Sequence, residues 1–391
     1  MRLPSRDPVA RRRLAVLALA ALAAMTAGLV TGAGSDGRDA REKRSAQSVR
    51  KKPVTPAPRA VAAARALSLD RQVGQLVIMR FDGTGPPAYV PRALRAGRAA
   101  GVILFRANIA SRTALRGVVR RLQAGARGSA IICTDQEGGE IRNLRWASPT
   151  RGQPAMSTLE SAAASARAAA ADLRAAGINV NLAPVADVAS VRDSVMRSRA
   201  FPGDAKAVSA LTKAAVEGYR GTKVAPTVKH FPGLGASTRN TDFAAATVAS
   251  PPARIASTDL PPFRAAIDAG APIVMTSHAL YPALDDDAIA SQSRYVVQRL
   301  LRERLGFRGV IVTDSLEARA VTLRSGPGRA AVRSVRAGSD LVLTTGAGSH
   351  LRVVRALLAE ARRLPSFRRR VAESAARVLE LKRSLGLPAP R

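Results

Sequence analysis

Ala225-Pro226-Thr227-Val228-Lys229-His230-Phe231-Pro232-Gly233-Leu234-Gly235 is an apolar, strand-like run that ends in a cation, an imidazole and a tight Pro/Gly turn. Later in the chain, Gly309 to Thr313 is a second apolar run, and it closes on Asp314-Ser315-Leu316-Glu317. Polar side chains set at the ends of buried strands are how a parallel barrel builds a site. Lys and His donate hydrogen bonds to hydroxyls, and a buried carboxylate serves as nucleophile or base, so the two segments imply a pocket for a hydroxyl-rich substrate.

Outward from these segments the pattern repeats. Short apolar runs at Gln75–Phe81, Gly101–Phe105, Ala130–Thr134, Asn179–Ala183, Ala225–Lys229, Pro272–Thr276, Gly309–Thr313 and Leu341–Thr345 alternate with Ala/Arg/Leu stretches of helical period. Among the latter are Thr113–Gln123, Leu159–Ala176, Ala205–Arg220, Arg294–Leu305 and Phe367–Leu385. Alternation of this kind predicts an α/β chain with a parallel sheet, and eight strands each followed by a helix close a (β/α)8 TIM-like barrel as a single catalytic domain. The polar groups behind the strands then share one face: Asp135-Gln136-Glu137-Gly138-Gly139 after the third, Asp187 after the fourth, Lys229-His230 at the fifth, His278 after the sixth and Asp314 after the seventh. A lone carboxylate there would as readily cap the following helix; several converging on one face favour a site.

The 391 residues accommodate such a barrel plus an N-terminal appendage. Arg11-Arg12-Arg13, the apolar run Leu14–Val30 and Thr31-Gly32-Ala33 have the order of a secretory signal, and the run is also long enough for an uncleaved anchor, so residues 1–33 are expected to export or tether the chain to the outer face of a bacterial membrane. Residues 34–59 are rich in Gly, Ser, Pro, Lys and Arg and read as a basic linker, which leaves 60–391 for the barrel. A formal charge of +34 raises nucleic acid as a partner, but the Arg residues are diffuse and aromatics make up only 3%, too few for base stacking. Attraction to an anionic cell wall or membrane surface fits this charge better. One cysteine, Cys133 in an apolar run, and three histidines provide neither a disulfide nor a His/Cys metal cluster.

Gly101-Val102-Ile103-Leu104-Phe105, Asp135-Gln136-Glu137-Gly138-Gly139, Leu182-Ala183-Pro184-Val185-Ala186-Asp187, Lys229-His230-Phe231-Pro232-Gly233 and Thr313-Asp314-Ser315-Leu316-Glu317 resemble, in order, the motifs of glycoside hydrolase family 3. The resemblance runs from about Leu67 to Leu385 and is to the single-barrel bacterial β-N-acetylglucosaminidases rather than to the two-domain β-glucosidases. It implies a retaining hydrolase acting on β-linked N-acetylhexosamine, with Asp314 as the nucleophile that forms a glycosyl-enzyme. Asp135 would accept hydrogen bonds from distal sugar hydroxyls, and Lys229 and His230 would hold hydroxyls of the same ring. Arg199 matches the substrate-binding arginine, with Arg197 close enough to compete, while His278 and Asp187 support the site. Two carboxyl groups suffice for this chemistry, so no cofactor or metal is expected.

One loop departs from the family pattern. After the fifth strand the relatives continue into an Asp-Ser-His triplet whose His is the acid/base, whereas here the loop reads Leu234-Gly235-Ala236-Ser237-Thr238-Arg239-Asn240-Thr241-Asp242-Phe243. Asn240 stands at the place of the Asp and Asp242 at that of the His. Either Asp242, its pKa raised in a poorly solvated cleft, is the acid/base itself, or it is a turn residue and the protein binds a sugar without efficient cleavage. The N-acetyl preference rests on the resemblance alone, and a glucoside or xyloside would require few changes in the pocket.

Overall fold

The computed structural model describes residues 55–390; the expected export segment and linker residues 34–54 lie outside the described residues. Eight parallel strands close into a barrel: β1 Val77–Met79, β2 Gly101–Ile103, β3 Ile131–Thr134, β4 Val180–Asn181, β5 Ala225–Phe231, β6 Ile273–Thr276, β7 Val310–Ser315 and β8 Leu341–Leu343. Each pairs with its neighbours in sequence, and β1 joins β8 through Val77 opposite Val342. All eight expected strands are present. The first is shorter than its apolar run, because Gln75 terminates the helix Leu69–Gly74 by donating its backbone N–H to Arg71 O.

Alternation along the strands sorts the core. Ile78, Ile131, Cys133, Val310, Val312 and Leu341 point into the barrel, while Met79, Ile132 and Ile311 face the helices. Val378, Leu381 and Leu385 of the closing segment join the inner cluster and stop the N-terminal end of the barrel, so a substrate has access from the C-terminal face only. Cys133 lies in this plug, where burial raises its thiol pKa and removes its reactivity. With few aromatic residues, the helices pack through small ones: Leu159–Ala175 and Ala205–Gly218 meet along Ala162, Ala166, Ala169 and Ala215. Asp204 caps the second of these helices by accepting from Ala207 N at 2.9 Å, the ordinary duty of a loop carboxylate that the site carboxylates do not perform.

The closing helix is also bound by charge. Asp340, fully buried just before β8, accepts from Arg302 at 2.6 Å and Arg377 at 3.3 Å, from Arg370, and from Ile311 N at 3.0 Å. Burial raises the carboxyl pKa, but the three guanidinium groups outweigh it and hold the group ionised. Asp340→Ala removes the buried charge that Arg302, Arg370 and Arg377 share and should cost about 3–5 kcal/mol. Arg362→Ala, which breaks the exposed 3.6 Å pair with Asp70, should cost less than about 1 kcal/mol. Urea unfolding of the two variants beside the parent measures the contrast.

Candidate active site

The carboxyl ends of β3 to β7 bring the site together. Asp135 follows β3, and the next three residues form a hairpin strand, Gln136–Gly138, paired with Ile141–Arg142. Gln136 anchors this hairpin: its amide donates to Leu144 O, Ala147 O and Ser148 O, and its backbone N–H donates to Asn181 Oδ1 at 3.0 Å. Gly138 turns at φ +100, where a Cβ would lie 2.2 Å from Arg151 O, so no other residue fits there. The result is that Asp135 and Glu137 both point to the barrel axis.

Lys229 meets them from β5. Its ammonium lies 2.7 Å from Asp135 Oδ1 and 2.6 Å from Glu137 Oε1, and its side chain is 3% exposed. Arg199 completes the group with a two-pronged bridge, Nε to Glu137 Oε2 at 2.9 Å and Nη2 to Oε1 at 2.7 Å. Burial raises the Glu137 carboxyl, but Lys229 and then Arg199 overcome it and bring it down to about 2. Lys229 in turn stays charged: burial lowers its pKa, and Asp135 and Glu137 more than restore it. Arg197, the alternative to Arg199, instead donates to Val191 O and Arg192 O on the surface, away from this network.

Asp187 reaches β5 because the β4 ladder continues past its strand, with Ala186 N donating to Lys229 O at 2.7 Å. The carboxylate contacts His230 Nδ1 at 2.7 Å and accepts from Leu234 N at 2.6 Å and His230 N at 3.2 Å. It thereby fixes both the imidazole and the turn behind it. His278, fully buried after β6, spans Ser291 Oγ at 2.7 Å and Ser315 O at 2.9 Å. Burial keeps this ring neutral, and since a carbonyl only accepts, Nε2 donates to Ser315 O and Nδ1 accepts from Ser291. The backbone next to Asp314 is locked in this way.

Asp314 ends β7. Burial raises its carboxyl, but His230, the Ser315 N–H at 2.7 Å and Lys229 outweigh that and hold it below the usual value, ionised. Asp242 shifts the opposite way. Loss of solvent comes first and the charge of Asp314 second, and the carboxyl is pushed up to about 6 although the residue keeps an exposed side. Its turn is held on both flanks: Asp242 N donates to Asn240 Oδ1 at 2.9 Å, while Arg319 N and Ala320 N, just beyond Asp314, donate to Asp242 O and Thr241 O at 3.0 Å each. Asn240 thus shapes the backbone of the turn rather than orienting a catalytic ring. One carboxyl held ionised beside a second that keeps its proton through mildly acidic pH, up to about 6, is the division of labour that retaining glycoside hydrolysis requires.

All six site residues expected from sequence, Asp314, Asp242, Asp135, Arg199, Lys229 and His230, therefore lie on one face. The profile of the Glycosyl hydrolase family 3 N terminal domain matches residues 68–381. The chain belongs to glycoside hydrolase family 3. This family 3 chain is 34% identical over 309 residues to an uncharacterized secreted glycosyl hydrolase of Arthroderma benhamiae, covering 73% of this chain and 85% of that protein. It is 34% identical over 283 residues to a β-hexosaminidase of Xanthomonas campestris, covering 68% and 83%. Among solved structures, the family 3 β-N-acetylglucosaminidase of a Paenibacillus species superposes with TM-score 0.78 and 35% identity over 83% of this chain and 64% of that one. The β-N-acetylhexosaminidase of Beutenbergia cavernae gives 0.74 and 35% over 81% and 98%.

Glu137 is the member of the site for which the family 3 motif assigned no role. The signal was present: two cations brought to the mouth of a barrel need a second counter-ion beside Asp135. Because the folded Glu137 carboxyl lies near 2 against an unfolded value of 4.5, its stabilisation is complete above about pH 4.5 and is lost as pH falls toward 2. Glu137→Gln should remove roughly 3 kcal/mol at neutral pH and flatten the dependence of Tm on pH across that interval, as measured by thermal unfolding at stepped pH.

Proposed function

We propose that this chain is a retaining β-N-acetylhexosaminidase that removes terminal N-acetylglucosamine from cell-wall or other amino-sugar glycosides. The observation that carries this reading is the opposed shift of two carboxyls on one face, Asp314 lowered and Asp242 raised to about 6, beside Lys229, His230, Arg199 and Asp135. The names of the Xanthomonas and Paenibacillus relatives supply the sugar.

In the first step an Asp314 oxygen attacks the anomeric carbon, the bond to the leaving oxygen breaks, and Asp242 gives that oxygen its proton. In the second, the Asp242 carboxylate takes a proton from water, the water oxygen attacks the anomeric carbon, and Asp314 leaves ionised as before. Lys229, Asp135, His230 and Arg199 hold the ring hydroxyls, so binding energy orients the anomeric carbon over Asp314. The pinned turn keeps Asp242 in place throughout.

Export is part of the proposal. Arg11–Arg13 ahead of the apolar run to Val30 supports it, as does the Arthroderma relative's description as secreted. The catalytic unit is taken to begin near Ala60, whose side chain is buried in the helix Pro58–Arg65. Between Asp82 and Asp135 the chain carries Arg but no Asp or Glu. Exposed Arg92, Arg95, Arg116 and Arg120 on two helices of that stretch would draw the domain to an anionic wall or membrane surface.

Two substitutions test the reading. Asp314→Asn should abolish turnover of nitrophenyl β-N-acetylglucosaminide, with the β-glucoside as the competing sugar. Asp242→Asn should lose about 10²–10⁴-fold on a disaccharide yet far less on an aryl glycoside whose leaving group needs little protonation. The acid form of Asp242 is populated below about pH 6, so disaccharide turnover should fall above that pH. Equal losses on both substrates would remove Asp242 from the acid role.

A further inference from the structure

The chemistry above leaves one buried ionisable group unused. Asp259 is 1% exposed, and neither of its carboxylate oxygens has a hydrogen-bond partner among the described residues. It ends the π-helical stretch Ile255–Asp259, and its side chain packs against Gly233, the turn residue behind Lys229-His230. A Cβ on Gly233 would fall 2.6 Å from Asp259 Cβ and 3.2 Å from its Oδ1, and the glycine stands at φ +131, so the turn is both glycine-specific and floored by this carboxyl.

The charged and titratable groups around it come from every side. Asp187 after β4 lies close enough to act on its charge, and Tyr281 after β6 donates its hydroxyl to Gly233 O at 2.8 Å and is raised chiefly by burial, with Asp187 and Asp259 adding to it. His230 of β5 lies beyond Asp187, and Arg254, earlier on the same helix, is exposed with its guanidinium donating to Ser190 O at 3.3 Å. A carboxyl with no donor, beside a second carboxylate and with its nearest cation turned to solvent, favours its neutral form. Burial and then the charge of Asp187 push Asp259 up to about 7.

We propose that Asp259 is a positioning residue: as a neutral acid it supports the Gly233 turn and leaves Asp187 free to hold His230, and its ionisation loosens that hold by setting a second negative charge beside Asp187. The hold consists of the Asp187 contacts to His230 Nδ1, His230 N and Leu234 N. The effect on turnover rests on the hydrolase reading; the effect on the turn does not.

The test uses the full chain and two readouts between about pH 5.5 and 9. The first is amide exchange of the peptide spanning His230–Leu234, corrected for the intrinsic rate. Wild-type protection should fall at least about fivefold as pH passes through about 7, while Asp259→Asn, which is isosteric and never ionises, keeps it. The second is kcat/KM on the dinitrophenyl β-N-acetylglucosaminide, whose leaving group needs no proton, so that Asp242 is not read. Wild type should fall over the same interval by at least about fivefold and the Asn variant should stay flat. An Asn variant that titrates like wild type in either readout overturns the proposal. If that variant fails to fold, the wild-type exchange profile decides alone, and a flat profile overturns the proposal. No turnover on any glycoside, with an exchange profile that titrates in wild type only, would sink the hydrolase reading and leave this one standing.

Discussion

A buried ammonium has to be paired, and Lys229 is such a group. With its side chain almost wholly removed from water it needs negative partners within contact distance, and it takes two, Asp135 and Glu137. Two carboxylates for one ammonium leave a surplus negative charge, which Arg199 neutralises through its fork. The four side chains come from three separate strand exits. Their closure therefore fixes how the β3 hairpin, the segment after β4 and the end of β5 sit around the axis, and leaves donors and acceptors facing the mouth where a sugar ring would lie.

The barrel was legible because buried parallel strands are continuous apolar runs, and their polar exits read as sudden changes of composition. Cys133 at the centre of Ala130–Thr134 and Asp314 at the end of Gly309–Thr313 show the two kinds of signal side by side. Strand extent was less legible. Helix capping by Gln75 shortens β1, and β5 runs on through His230 to Phe231. The partners of Glu137 and Asp187 were hidden for a different reason: they lie 62 and 43 residues away, and a local pattern carries no sign of which distant cation or ring a carboxylate will meet. Asp259 lies in none of the strands or helical stretches expected from sequence; only its packing against Gly233 reveals it beneath the turn that follows His230.

The loop after β5 is where sequence and structure say most together. Where the family resemblance implies an Asp-Ser-His triplet this loop has no imidazole, and Asn240 and Asp242 do not rebuild one in kind. What they build is an Asx-type turn that presents a carboxyl to the electrostatic field of Asp314. The same negative charge that would be a fault between two structural carboxylates becomes the means of keeping a proton on one of them.

That turn hangs by its backbone from Arg319 and Ala320, on the stretch of chain that carries Asp314. Backbone contacts do not depend on side-chain identity, so the tie between the two loops rests on the carbonyls of Thr241 and Asp242 and not on their side chains. The β5 and β7 loops are therefore tied into one unit. Under the proposed mechanism, a chimera that exchanges one of them would separate Asp242 from Asp314, and grafting both together would carry their spacing intact into another barrel.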